Sequence, residues 1–201
     1  AFLEDYAFLC FGLLELYETT LDAGWLDAAL ELADESLRFF RRPDDGCFFT
    51  IGSDAEQMPA QVTLDHDGVT PAAASLLSQV LIRLGHVCDR PDLIETARTA
   101  LADPLAKAAH QPLVHLGALR ALSLLETEPV IITFCGALEE RERAALLAVV
   151  LRHSFSNRVI KSAPEPAESV GVQVCGAGAC YPIVRDANEL DSLLRQLPYN
   201  H

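Results

Sequence analysis

The feature that most constrains this chain is a change of hydrophobic pattern from one helical segment to the next. Residues 2–20 carry Phe2, Leu3, Tyr6, Ala7, Leu9, Cys10, Leu13, Leu14, Leu16 and Tyr17. Those positions fall on nearly every face of a helix, as expected of one buried all round. Asp22-Ala23-Gly24 interrupts it. Residues 25–40 instead place Trp25, Ala29, Leu32, Ala33, Ser36, Leu37 and Phe40 on one stripe, with Asp27, Glu31, Asp34, Glu35 and Arg38 opposite. That spacing predicts an amphipathic helix with one solvated face. The alternation recurs. Pro43-Asp44-Asp45-Gly46 reads as a turn, Cys47 to Ile51 as a short strand, and Gly52 to Gly68 as a polar loop. Thr70-Pro71 reads as an N-cap followed by proline at the first helical position, opening an apolar helix to about Leu84. Residues 91–108 predict a more amphipathic helix, and Pro112 opens another apolar one to about Leu125.

Helices that alternate between fully and half buried suit a layered toroid of α-hairpins, whose inner ring is covered by an outer one. A plain bundle would be amphipathic throughout. From about residue 128 the pattern changes. Pro129 to Cys135 is β-rich, Glu139 to Arg152 helical, and Arg158 to Lys161 and Val170 to Cys175 are candidate strands. Ala179 to Val184 extends or returns from the last of these. Asp186 caps a final helix to Leu197. The expected fold is therefore mainly α: a partial α/α toroid over residues 1–127, then a small α/β region over 128–201 with helices packed on an open sheet.

Charge excludes some partners. With 29 acidic against 15 basic residues the formal net charge is −14. That disfavours a nucleic-acid backbone, which needs clustered Lys and Arg, and an anionic membrane surface. No apolar run approaches the roughly 20 residues needed to span a bilayer. The opening Ala-Phe-Leu-Glu-Asp-Tyr is not a signal peptide. It enters directly into a helical pattern without Met, which predicts a C-terminal fragment of a larger cytoplasmic protein. Cys10, Cys47, Cys88, Cys135, Cys175 and Cys180 are scattered, mostly inside apolar runs. They are expected to be reduced, buried thiols.

Several segments together resemble the C-terminal part of the YyaL-like, or spermatogenesis-associated protein 20, family. They are Phe2-Leu-Glu-Asp-Tyr-Ala-Phe-Leu9, Gly12-Leu-Leu-Glu-Leu-Tyr17, Gly46-Cys-Phe-Phe49, Gly52-Ser-Asp-Ala-Glu56, Asp67-Gly68 with Pro71, and Cys175, Cys180, Pro182 and Val184. The resemblance spans essentially the whole chain in the same order. It implies a thioredoxin-like domain and the first half of a helical toroid preceding this segment. It also implies a toroid similar to six-hairpin glycosidases and sugar 2-epimerases. One departure stands out. Where the resemblance leads one to expect Ser-Gly-Asn-Ser after Pro71, this chain has Ala72-Ala73-Ala74-Ser75. Basic residues expected upstream of Asp67 are also missing from Gln61 to His66.

Three groups are candidates for chemistry. The first is the acidic set at inner-helix ends: Glu4, Asp5, Asp54, Glu56, Asp65 and Asp67. Glycoside chemistry needs two carboxyl groups across the sugar, and inner-helix N-termini point into a toroid's cavity. On this reading Asp5 and Asp67 are catalytic, and Tyr6, Asp54 and Glu56 bind substrate. On the other reading Asp67 or Thr70 caps a helix, and Asp5 is a solvated first-turn acid favoured by the dipole. His66, between Asp65 and Asp67, is either an acid–base group or an exposed loop residue. His115, on an apolar segment, reads as a core residue. No spacing matches a zinc site.

The third group is Cys175-Gly-Ala-Gly-Ala-Cys180. Its glycines permit a tight turn that sets two thiols face to face, either as a reversible redox pair or as plain buried residues. A metal would need Cys135 or a partner as well, so neither metal nor cofactor is expected. The functional expectation is sugar processing or binding with a small sugar ligand. The alternative is a non-enzymatic scaffold for the thioredoxin-like domain, with Cys175 and Cys180 as redox partners. A half-toroid would leave inner-helix surface exposed, so a homodimer or compensating contacts are expected.

Overall fold

Residues 1–55, 66–164 and 169–197 are described by a computed structural model. They divide into two compact units, Ala1–Glu126 and Thr127–His201.

The first unit is helical. It consists of α1 (Leu3–Thr20), α2 (Ala23–Phe40), α3 (Ala73–Val87), α4 (Pro91–Ala100), α5 (Ala102–Ala108) and α6 (Leu116–Glu126), with one 3-10 turn at Pro112–Val114. The α1–α2 connection is tight. Leu21 takes a left-handed φ of 58° and its N–H caps Tyr17 O. Asp22 then opens α2 by accepting the Gly24 N–H at 2.9 Å. The buried Cys10 thiol donates to Ala29 O at 3.1 Å, locking the hairpin. Burial pushes that thiol up to about 12.

α3 is the middle helix. It packs against α1, α4 and α6, and Leu77, Val80, Leu81, Ile82 and Leu84 have no exposed surface. The expectation of all-round burial fits α3 but not α1. Phe2, just ahead of α1, and Leu9 and Leu16 on it are 56%, 56% and 43% exposed. α1 packs chiefly on α2 and α3, so the flank with these three residues at seven-residue spacing stays uncovered. An ion network ties α1 to α3. Arg83 donates to Glu15 and Glu18, both at 2.7 Å, over the Phe11 ring. Burial works against the Arg83 charge, but the two carboxylates outweigh it and hold the guanidinium above its usual range.

Three expected elements differ. Cys47 to Ile51 forms no continuous strand, only isolated bridges from Phe48 to Arg41 and from Ile51 to Phe2. The helix expected over 91–108 breaks at Leu101 into α4 and α5, because Pro104 has no N–H to offer the carbonyl of Ala100. The helix expected from Pro112 starts only at Leu116, after the 3-10 turn.

The second unit holds β1 (Val130–Cys135), α7 (Glu140–Arg152), β2 (Arg158–Ser162), β3 (Gly171–Gly176), β4 (Ala179–Cys180) and α8 (Ala187–Gln196). The strands form a mixed sheet in the order β2-β1-β3-β4. β1 pairs parallel with β2 and antiparallel with β3. The parallel pair requires a crossover, and α7 lies on it. Val130, Ile132, Val159, Ile160, Val172 and Val174 are buried in the sheet, with Leu146, Val150, Leu190 and Leu194 buried on the helices. Asp186 caps α8 by accepting from Asn188 and Glu189. β4 is shorter than expected because Pro182 cannot donate to the ladder. Val184 rejoins β3 in an isolated bridge to Val172. Among the described residues no helix is long and apolar enough to cross a membrane.

Candidate functional site

Asp67 organises the N-terminal ends of α3 and α6. Its Oδ1 accepts the Ala72 N–H at 2.8 Å, and its Oδ2 accepts the Gly117 N–H at 2.7 Å. Both oxygens therefore hold orphan donors at helix starts, where a carboxylate also meets the positive end of the dipole. Thr70 is not the N-cap residue expected: α3 opens at Ala73 with Ala72 at the N-cap position. The glycine at 117 is required by the close approach. A Cβ there would sit 2.9 Å from Asp67 Oδ1 and 3.1 Å from Ser75 Cβ. Asp67 N–H also donates to Val114 O at 2.7 Å. The loop bearing His66 is thereby fastened to the segment before α6.

His66 is exposed and lines two clefts of the helical unit. One, of about 230 Å³, lies at the starts of α1 and α3, where Glu4, Phe48, Thr50 and Thr70 meet His66. Ala72, Ala73 and Ala74 form part of its wall. The departure from the resembled pattern thus falls on this cleft and gives it methyl groups in place of hydroxyl and amide. The other cleft, of about 440 Å³, is lined by His66, Lys107, His110, Gln111, Val114 and His115. His115 precedes α6 rather than lying on it, and is 4% exposed.

Of the other expected site residues that are described, Asp5, Tyr6 and Asp54 line neither cleft. Tyr6 packs edge-on against Phe40, with ring centroids 5.2 Å apart. Its phenol is raised above its ordinary value by desolvation, then by Glu35 and Asp54. Tyr6 and exposed Asp54 therefore form a separate group that faces α2. Asp5 is an exposed acid in the first turn of α1. Glu56 and Asp65 lie outside the described residues. Among the described residues the acid that lines the first cleft is Glu4, next to the expected Asp5. Lys107, His110 and Gln111 carried no motif. Their only sequence signal is three donor-bearing side chains within five residues of an acidic chain.

In the second unit Cys175 and Cys180 are joined by a disulfide, which corrects the expectation of six reduced, buried thiols. They face each other across β3 and β4, next to the ladder bond from Tyr181 N–H to Val174 O. At such a non-hydrogen-bonded position antiparallel strands come closest, and the two Cα atoms are 4.0 Å apart. Ala177 and Gly178 close the hairpin with φ of 52° and 73°, the pattern of a type I′ turn. Glu128 secures the tip by accepting the Gly178 N–H at 2.9 Å. Cys180 is exposed and Cys175 partly so. Cys10 and Cys135 are buried thiols, Cys47 and Cys88 half-buried ones. Among the described residues no three of His, Cys, Asp and Glu gather to hold a metal ion.

No protein-family model matches the chain. Over 162 residues it is 32% identical to spermatogenesis-associated protein 20 of Mus musculus and 31% identical to that of Homo sapiens. It is also 34% identical over 98 residues to an uncharacterized protein of Caenorhabditis elegans. The mouse and human matches cover 79% of this chain and 20% of each relative. The chain thus spans about a fifth of the length of the curated relatives it matches. That identity, sustained over 79% of the chain, places the chain in the spermatogenesis-associated protein 20 family.

Proposed function

We propose that the helical unit binds a small ligand of the sugar class at the N-terminal ends of α1 and α3, as part of a toroid of α-hairpins. The observation that carries this reading is the cleft where Glu4 and His66 meet the hydroxyl-bearing Thr50 and Thr70 beside Phe48. A polyhydroxylated ligand needs a few converging polar groups in a largely apolar recess, and this cleft supplies both. Among the described residues one carboxylate, that of Glu4, stands on the cleft wall, and Asp67 has both oxygens engaged by backbone donors. The reading therefore assigns Asp67 to holding the His66 loop, and leaves Glu4 and His66 to contact the ligand. The test is calorimetry of the whole protein with a panel of mono- and disaccharides. Binding that Glu4→Gln and His66→Ala each weaken about tenfold, or 1.4 kcal/mol, supports it. Absence of binding by the whole protein sinks it.

A second reading rests on the exposed disulfide, as a redox pair served by a dithiol protein. A thiolate of that protein would attack the exposed Cys180 Sγ and displace Cys175 as a thiolate, which takes up a proton. Its second thiol would then resolve the mixed disulfide, leaving two cysteine thiols here and a disulfide on the donor. Thiol titration before and after a dithiol reductant tests it. A pair that never releases two thiols removes the reading.

A further inference from the structure

The larger cleft is built from one stretch of chain and one loop. α5 presents Lys107 near its end. The N–H groups of His110 and Gln111 both donate to Lys107 O at 3.0 Å, so the chain turns back and brings these three side chains together. The 3-10 turn follows, and His115 N–H donates to Pro112 O at 3.1 Å. His66 joins from the opposite segment through the bond between Asp67 N–H and Val114 O. The chain holds 6 histidines, and half of them meet on this one wall with a lysine and a glutamine.

The chemistry of that wall runs against the rest of the molecule. The formal net charge is −14, yet none of the described residues lining this cleft is acidic. Lys107 also pairs with Asp103 one turn earlier, at 2.7 Å. An ammonium has three N–H donors and can hold more than one acceptor. The imidazoles do not converge on a point as metal ligands would, since no such group exists among the described residues. Separate donors spread around a recess suit an anion with several acceptor oxygens. Val114 supplies an apolar patch beside them, and about 440 Å³ is the size of a small-molecule site.

We propose that this cleft binds the phosphate group of a phosphorylated small molecule, with Lys107 and His110 as its exposed anchors and His115 as its inner donor. His66 borders both clefts, so a phosphorylated sugar could place its ring in one and its phosphate in the other. That link rests on the reading under Proposed function, whereas the anion site does not.

The experiment is calorimetry of the whole protein with inorganic phosphate, glucose and glucose 6-phosphate, repeated on Lys107→Met and His110→Ala. Both side chains are solvent-accessible, and circular dichroism confirms that the variants fold. The expected result is phosphate binding that each variant weakens about tenfold and that rising salt weakens further. Glucose 6-phosphate should bind more tightly than phosphate, and Lys107→Met should leave any binding of glucose itself unchanged. No heat with either phosphate compound overturns the proposal. So does phosphate binding that neither folded variant alters, which would mark nonspecific anion association. If phosphate binds in a Lys107-dependent way while no sugar in the panel binds, the anion site stands and the sugar reading falls. Sugar binding without phosphate binding gives the reverse.

Discussion

At the residue scale, Asp67 decides the most. In sequence it was a candidate for either catalysis or capping, and its two oxygens are taken by the N–H groups of Ala72 and Gly117. A lost cap costs about 1 kcal/mol, so Asp67→Ala should destabilise the helical unit by roughly 2 kcal/mol. Asp67→Asn keeps one acceptor and should cost less, and urea unfolding curves measure both. Arg83 makes a sharper case, because Glu18 is nearly fully buried beside it. Removing one partner of a buried ion pair strands the other charge, at a cost of about 3–5 kcal/mol. Arg83→Met should therefore destabilise by that order, and adding Glu18→Gln should recover much of the loss. A double variant no more stable than Arg83→Met alone would refute this account. Asp191 responds to acid. Arg195 first, then His153, hold its carboxyl below the ordinary carboxylate range. Its contribution is complete above the unfolded value of about 4 and is lost as pH falls through the lower folded value. Asp191→Asn should flatten the acid limb of the stability profile and leave the neutral region less stable.

At the scale of elements, position in the packing outweighs hydrophobic pattern. α1 and α3 read alike in sequence, but α3 has helices on several sides and α1 has an open flank. Leu9→Ser and Leu16→Ser should each shift stability by no more than about 0.5 kcal/mol, as substitutions of exposed residues do. Leu81→Ala, in the sealed middle helix, should cost about 2–5 kcal/mol through lost burial and a cavity. Thermal or urea unfolding of the three variants separates them. The β3–β4 hairpin adds a covalent tie. Closing so short a loop contributes roughly 2 kcal/mol, so Cys175→Ser with Cys180→Ser should lower the stability of the second unit by that amount. The elements themselves were largely legible. Asp186 announced its helix by the residue type that accepts N–H groups, whereas Asp22, read only as part of a break, caps α2 in the same way. The single helix expected over 91–108 overlooked Pro104, and α4 and α5 separate ahead of it, at Leu101. Cys47 to Ile51 misled because β-forming residues make a strand only where a neighbouring backbone offers continuous pairing.

At the scale of the molecule, the net charge of −14 sets a background of self-repulsion. Raising salt from low to physiological strength should raise the melting temperature by screening it. A flat or opposite response would mean that paired charges such as Arg83 with Glu18 dominate instead. The candidate clefts belong to this scale, and little of them was readable. Glu4, Thr50 and His66 are far apart in sequence and come together only where the starts of α1 and α3 meet. What the sequence by itself determined is local: which segments are helical, where a proline or an aspartate bounds them, and the acidic character. These depend on contacts within a turn or two of chain. Only the tertiary structure decided that Asp67 caps a helix 50 residues away, that α1 keeps an open flank, and that the cleft beside His66 is walled by donors. A side chain's partner across that separation is set by how α3 packs on α6, a sum of many weak contacts that no local pattern records.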